Sequence, residues 1–202
     1  MKKYNIIYAD PPWSYNDKLG DKVNLGAATG TYDTQDLEWI KGLPVKELAD
    51  KDCALFLWCV NPLLPEAFDV IKAWGFKYKT VAFVWNKRTV NGNWVHNMGR
   101  WTMGNMEMVL LATKGSPKRV RKDIKQLVVA ERKGHSKKPD IIRQAIVDLM
   151  GDLPRLEMFA RGDKTKDLFE FNRFDGWDTF GNESEDSIEL KTHEHLQTPF
   201  VQ

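Results

Sequence analysis

Two adjacent prolines near the start of the chain fix the end of its first strand. Residues 5–13 read NIIYADPPW. Ile6, Ile7, Tyr8 and Ala9 form an unbroken apolar run, the pattern of a parallel strand buried on both faces. Neither Pro11 nor Pro12 can donate to a ladder, so the strand stops at Asp10. An acid at the carboxyl end of a central strand, followed by a rigid turn and an exposed indole at Trp13, matches the place where open α/β sheets bind ligands. A carboxylate that accepts, a proline-held carbonyl and a flat ring together suit a planar amine. Two acceptors on its N–H groups favour the tetrahedral nitrogen that attacks a methyl donor, while the indole stacks the base. The same residues also read as an acidic turn cap with a packed Trp, and physics alone leaves both open.

The rest of the chain alternates strands with helices or loops. ALFLWCV (54–60) and KTVAFVWNK (79–87) read as strands, as do MEMVLLATKG (106–115) and RLEMFARG (155–162). Thr34 or Asp33 can cap a short helix through Ile40, and PVKELA from Pro44 can form another. Pro65 suits the first turn of a helix through Trp74, with Phe68, Ile71 and Trp74 on its buried side and Gly75 as the stop. PDIIRQAIVDLM (139–150) is a helix with an apolar stripe of Ile142, Ala145, Ile146 and Leu149, stopped by Gly151. Asn91-Gly92 marks a hairpin tip, and the WVHNMGRWTMGN that follows offers Trp94 and Trp101 either for stacking on bases or for packing on the sheet edge. Residues 14–31 are polar and Gly-rich, the composition of a loop beside the site. Such alternation predicts one α/β domain with a parallel-rich sheet covered on both faces. A loose polar tail is expected over 184–202, where His193 and His195 have no partnering Cys or His for a metal.

Composition narrows the setting. No apolar run reaches the length of a membrane span, and Met1-Lys2-Lys3 leads into a strand with no signal-peptide region behind it, so a cytoplasmic protein is expected. Cys53 and Cys59 fall on one predicted strand, roughly 20 Å apart, which is too far for a disulfide. The net charge of +2 hides segregation: residues 114–138 hold ten Lys or Arg against Asp123 and Glu131, a local +8, so the remainder carries −6. A basic loop of this kind attracts a phosphate backbone, and Lys118, Arg119, Arg121, Lys122 and Arg132 are the candidate contacts; a solvated surface loop is the plainer reading.

Asp-Pro-Pro-Trp after a hydrophobic strand resembles the signature of the adenine-N6 methyltransferases, the family that contains the catalytic subunit of the eukaryotic messenger-RNA adenine methyltransferase and many bacterial and phage relatives. Further stretches resemble the family in its own order, namely LFLWCVNPLLPEAFDVIKAWGFKYKTVAFVWNK, MGRWTMGNMEMVLLATKG, GHSKKPD, RLEMFARG and GWDTFGNE, so the likeness runs from residue 5 to 183. The resemblance implies a Rossmann-like S-adenosylmethionine-dependent methyltransferase fold, a seven-stranded sheet with one antiparallel strand, as a single domain over 1–183. It implies a permuted motif order too, since the catalytic motif precedes the cofactor strand. Asp10, Pro11, Pro12 and Trp13 then match the catalytic turn. Lys138 matches a lysine that meets the carboxylate of S-adenosyl-L-methionine. Phe159, Ala160 and Arg161 match the turn beside the donor's amino-acid and ribose parts, and Asn182 and Glu183 the residues that bond ribose and adenine. Residues 163–175 form a longer link than the family's usual one. Displacement at a sulfonium needs no metal, and Asp10 is required to position and polarise rather than to act as a strong base.

The implied activity is transfer of a methyl group to adenine N6 in DNA, in the cytoplasm of a bacterial or phage-infected cell, with the base drawn out of its stack. RNA is the alternative substrate, because nothing in the sequence reads a 2′-hydroxyl. Cytosine N4 is disfavoured, since those enzymes more often carry Ser at the position of Asp10. A non-catalytic nucleic-acid-binding member of the family is the reading from another class, and such members lose the acid or the Trp that this chain retains.

Overall fold

The computed structural model describes residues 2–14, 35–99, 101–133, 137–160, 176–181, 187–188 and 190. Seven strands form one sheet: β1 (Tyr4–Ala9), β2 (Ala49–Cys59), β3 (Lys77–Arg88), β4 (Met106–Lys114), β5 (Leu127–Glu131), β6 (Arg155–Met158) and β7 (Asp178–Phe180). Their spatial order is β5-β3-β4-β2-β1-β6-β7. β4 pairs antiparallel with both β2 and β3, and every other pairing is parallel. This is the mixed α/β arrangement with a single reversed strand that the resemblance implies. β1 lies between β2 and β6, and its continuous apolar run meets a separate core on each face.

Alternate residues of the central strands feed two cores. Ile7, Ala9, Leu55, Leu57, Leu110 and Leu156 meet the helices α1 (Leu37–Gly42), α2 (Val45–Leu48) and α3 (Leu64–Ala73) on one face. On the other face Ile6, Tyr8, Phe56, Trp58 and Val109 meet α4 (Asp140–Met150) and Trp177. Pro65 stands in the first turn of α3, where its missing N–H costs nothing. α4 ends at Gly151, whose φ of 90° suits glycine.

Several boundaries differ from the sequence reading, each for a physical reason. α1 is capped by Asp36, whose side chain accepts from the Trp39 N–H at 2.6 Å, while the expected caps Asp33 and Thr34 lie outside the described residues. In α3 the buried face is Ala67, Val70 and Ile71; Phe68 stands half in water, edge-on to Tyr78. The buried stripe of α4 contains Arg143 beside Ile142, Ile146 and Met150, so one ion sits in an apolar row. β6 stops at Met158 because Phe159 has a φ of 62°, the one non-glycine described residue in the left-handed region, and it turns the chain. β5, absent from the sequence reading, runs through the middle of the basic segment. The described part of the expected loose tail is docked: Ser187 bridges Thr179, Ile188 N–H donates to the Thr179 carbonyl at 2.8 Å, and Ile188 and Leu190 pack on the first core. The expected loop 14–31 lies, after Ser14, outside the described residues, as does the link 163–175.

Candidate active site

The carboxyl ends of the parallel strands gather the charges that the sequence scatters. Asp10 follows β1, and its backbone N–H donates to the Met158 carbonyl of β6 at 3.4 Å. Trp13 N–H donates to the Pro11 carbonyl at 2.8 Å and Gln35 N–H to the Pro12 carbonyl at 3.0 Å, which fixes the turn from both sides. Each carbonyl oxygen has two lone pairs, so neither bond exhausts its capacity to accept. Trp13 is not the exposed indole expected from sequence. It is half-buried, packs on the first core, and donates from Nε1 to the Trp58 carbonyl at 3.1 Å. The edge of the ring is anchored to β2, so any stacking it performs starts from a fixed orientation.

A second set of residues converges on Asp10 from β3, β4 and the entrance of α4. Lys138 Nζ lies 3.4 Å from Asp10 Oδ1 and donates to Glu107 Oε2 at 2.8 Å. Lys87 donates to the other oxygen, Glu107 Oε1, so one carboxylate is held by two lysines. Each ammonium also faces an indole: Lys138 lies 4.8 Å from the Trp58 ring centre and Lys87 5.1 Å from that of Trp85. Burial pushes the Glu107 carboxyl up, but the two lysines outweigh it and hold it below the ordinary value. For Lys138 burial works downward, and Asp10 and Glu107 together raise it above the ordinary lysine range. An ammonium has three N–H groups, so bonding to both carboxylates leaves Lys138 able to take a third acceptor.

Beneath this layer a buried network sets the strand ends. Trp58 Nε1 donates to the Tyr8 hydroxyl at 2.6 Å. Arg143 grips Glu157 of β6 through two bonds of 2.6 and 2.8 Å and reaches Asp140 at 2.8 Å. Burial raises the Tyr8 hydroxyl far above its ordinary value, so the ring stays neutral. Arg143 therefore ties the first turn of α4 to β6, five residues after the lysine that faces Asp10.

The sequence candidates fall into three groups. Asp10, Pro11, Pro12, Trp13 and Lys138 come together, and the Phe159–Ala160 turn adjoins them through the Met158 bond to Asp10. Arg161, Asn182 and Glu183 lie outside the described residues. The basic candidates divide. Ser116 N–H bonds Asp52 near the start of β2, Val120 N–H bonds the Leu149 carbonyl at the end of α4, and Arg121 pairs with Asp123 and Asp148. Lys118, Arg119, Arg121 and Lys122 thus occupy the pole of the sheet opposite Asp10, whereas Arg132, whose N–H donates to the Arg88 carbonyl, stands at the same end as Asp10. Glu107, Lys87 and Trp58 were missed from sequence, because each was read only as part of a strand. The one available signal was an acid and a lysine interrupting otherwise apolar strands.

The β6–β7 junction is tightly packed. Phe159 is held in a strained conformation between Trp39 and Phe180, whose ring centres lie 6.3 and 6.2 Å away. A Cβ at Gly181 would come within 2.1 Å of the Ala160 carbonyl oxygen, so glycine lets the two strand-end turns touch. This left-handed turn places the Phe159–Ala160 backbone next to Asp10, which Lys138 faces.

The chain matches the MT-A70 family over residues 4–183. It is 36% identical over 209 residues to the Type II methyltransferase M.MunI of a Mycoplasma species, covering 95% of this chain and 82% of that protein. It is 26% identical over 186 residues to the N(6)-adenosine-methyltransferase MT-A70-like protein of Drosophila melanogaster, covering 91% of this chain but 27% of the relative. Against the human N(6)-adenosine-methyltransferase catalytic subunit METTL3 the identity is 25% over 186 residues, again 91% of this chain and 28% of the relative.

Proposed function

The chain belongs to the MT-A70 family, and from that membership we propose that it methylates adenine at N6 in DNA, using the Asp10–Trp13 turn to hold the amine. The observation that carries the reading is the arrangement around Asp10: a carboxylate at the end of the interior strand β1, fixed by a doubly bonded Pro-Pro turn and faced by Lys138. DNA is favoured over RNA by the balance of relatives. The methyltransferase named type II is matched over 82% of its length, while those named for adenosine are matched over about a quarter of theirs.

Methyltransferase families use S-adenosylmethionine in general, and here Lys138 with the Phe159–Ala160 turn would hold it, as would Arg161, Asn182 and Glu183 by the family's motif. When bound, that donor supplies an activated methyl on a sulfonium. What remains for the chain is to orient the acceptor. Asp10 accepts from one N–H of the target amine and the second lone pair of the Pro11 carbonyl from the other. Both bonds strengthen as the nitrogen becomes tetrahedral, so their effect falls on the transition state more than on binding. Lys138, fixed between Asp10 and Glu107, keeps the carboxylate oriented and gives the donor's carboxylate a cation. Trp13, anchored through its Nε1, offers its ring to the base.

The test is to incubate purified protein with S-adenosylmethionine and either genomic DNA or total RNA from a host lacking adenine methylation, then quantify N6-methyladenine by mass spectrometry. The reading expects the modified base in DNA. Its appearance in RNA alone would reassign the substrate, and its absence from both polymers in the presence of bound donor would remove the enzymatic reading.

A further inference from the structure

The segment between β3 and β4 leaves the sheet after Arg88 and re-enters it at Met106. It is internally braced. Arg88 bridges Trp94 and lays its guanidinium on the indole, Gly92 N–H closes a turn on the Thr89 carbonyl at 2.9 Å, and Asn97 and Gly104 exchange both backbone bonds at 2.7 and 2.8 Å. A braced excursion could bury its apolar side chains, yet this one turns them outward. Trp101 is 97% exposed, Met98 82% and Met103 60%. An apolar patch of this kind, set among polar residues, marks an interaction surface.

Charge and position indicate the partner. Residues 88–105 contain Arg88 and Arg100 and no acid. Arg132 N–H donates to the Arg88 carbonyl, which brings the exposed Arg132 and the neighbouring Lys133 to the root of the excursion. Glu107, directly after the point of return, is bonded to the lysine that faces Asp10. An aromatic tip, a cationic root and the acceptor carboxylate therefore share one end of the sheet.

We propose that Trp101, flanked by Met98 and Met103, is a wedge that enters the base stack beside the target adenine, while Arg88 and Arg132 contact the adjoining phosphates. The proposal rests on the methyltransferase reading above. A base drawn into a pocket leaves a gap in its stack, and a large apolar side chain entering at that step compensates the lost stacking. Every base has a π-face, so the wedge strengthens binding without selecting sequence.

The probe is a fluorescein-labelled single strand of oligodeoxyadenylate, titrated with the full chain over a range of salt concentrations. Trp101→Ala should weaken binding by about tenfold or more, the scale of one lost base–aromatic stack, and Trp101→Phe should keep most of the affinity. The salt slope of Trp101→Ala should stay at the wild-type value, whereas Arg132→Ala should lower it by about 0.7. The unfolding midpoint of Trp101→Ala should not move, because the side chain is almost wholly in water. Wild-type affinity in Trp101→Ala would overturn the wedge and leave the methyltransferase reading intact. Unchanged affinity with a shift in sedimentation would also overturn it, assigning Trp101 to a protein interface. A wild type that binds neither this strand nor its RNA counterpart, and transfers no methyl group, would remove the functional reading and the wedge with it.

Discussion

The two ends of α4 carry charge in opposite ways. At its start Arg143 is buried against Glu157 of β6, and Lys138, half-buried, is shared by Asp10, just after β1, and Glu107 of β4. At its end Arg121 pairs with Asp123 and Asp148 in the open, next to the exposed Lys118, Arg119 and Lys122. The second end is denser in basic residues, yet the first is the one that holds the geometry we propose to be catalytic. Solvent screens the exposed set and lets each side chain move independently. In the buried set, one partner cannot leave without stranding the other. Charge density along a sequence therefore says little about where charge is used.

Breaking the buried pair should have the largest effect. Arg143→Ala leaves Glu157 without its bidentate partner and should cost about 3–5 kcal/mol, read as a lower urea midpoint. Arg121→Ala should leave the midpoint where it was. The contrast sharpens with Arg143→Met combined with Glu157→Leu, which should recover most of the loss, since two apolar groups strand no charge. Equal midpoints for Arg143→Ala and Arg121→Ala would dissolve the distinction.

Lys138→Ala comes next. If Lys138 makes the proposed charge-assisted contact to the donor's carboxylate, worth about 1.5–3 kcal/mol, donor affinity measured by calorimetry should drop about tenfold or more. Undiminished affinity would show that Lys138 serves only Asp10 and Glu107.

A smaller effect concerns pH. Because the lysines hold the Glu107 carboxyl below its ordinary value of 4.5, the folded state binds that proton less readily than the unfolded chain. The associated stability is present above the ordinary value and is lost as pH falls through the lowered one. Urea midpoints taken across that acid range should decline more steeply for wild type than for Glu107→Gln. Parallel curves would mean that Glu107 contributes no such linkage.

The smallest change is expected from the exposed end. Replacing Lys118, Arg119, Arg121 and Lys122 with Ala should leave the salt slope of nucleic-acid binding near the wild-type value, because these residues stand at the pole opposite Asp10. Arg132→Ala alone should lower the slope for duplex DNA by about 0.9. A quadruple variant that loses several times that amount would place the nucleic acid across both poles.

Much of this was legible in the residues. The apolar runs at Ile6–Ala9 and 54–60 gave β1 and most of β2, and Pro65 and Gly151 punctuated α3 and α4. The resemblance implied seven strands with one reversed, but the strand order was not legible, because pairing between distant segments leaves no local trace. β5 escaped notice because its five residues, LVVAE, are embedded in a run of lysines and arginines, and a strand beside only one neighbour needs little apolar surface. The three residues of β7 are too few to show a period. At the site, Asp10 could be read from the prolines that follow it. Glu107 could not, since its partners Lys87 and Lys138 lie 20 and 31 residues away and only the sheet brings them together.

Asp10 is the residue on which the proposed transfer depends. The direct measurement is single-turnover methyl transfer from S-adenosylmethionine to adenine-containing DNA, comparing wild type with Asp10→Asn and titrating nucleic-acid binding alongside. Asparagine keeps the shape of the side chain but removes the charge and turns one acceptor into a donor. The rate constant should fall by about 100-fold or more, the cost of losing one preorganised polar partner, while binding of DNA survives. Transfer by Asp10→Asn at the wild-type rate would contradict the account and reduce the Asp-Pro-Pro-Trp turn to a structural feature.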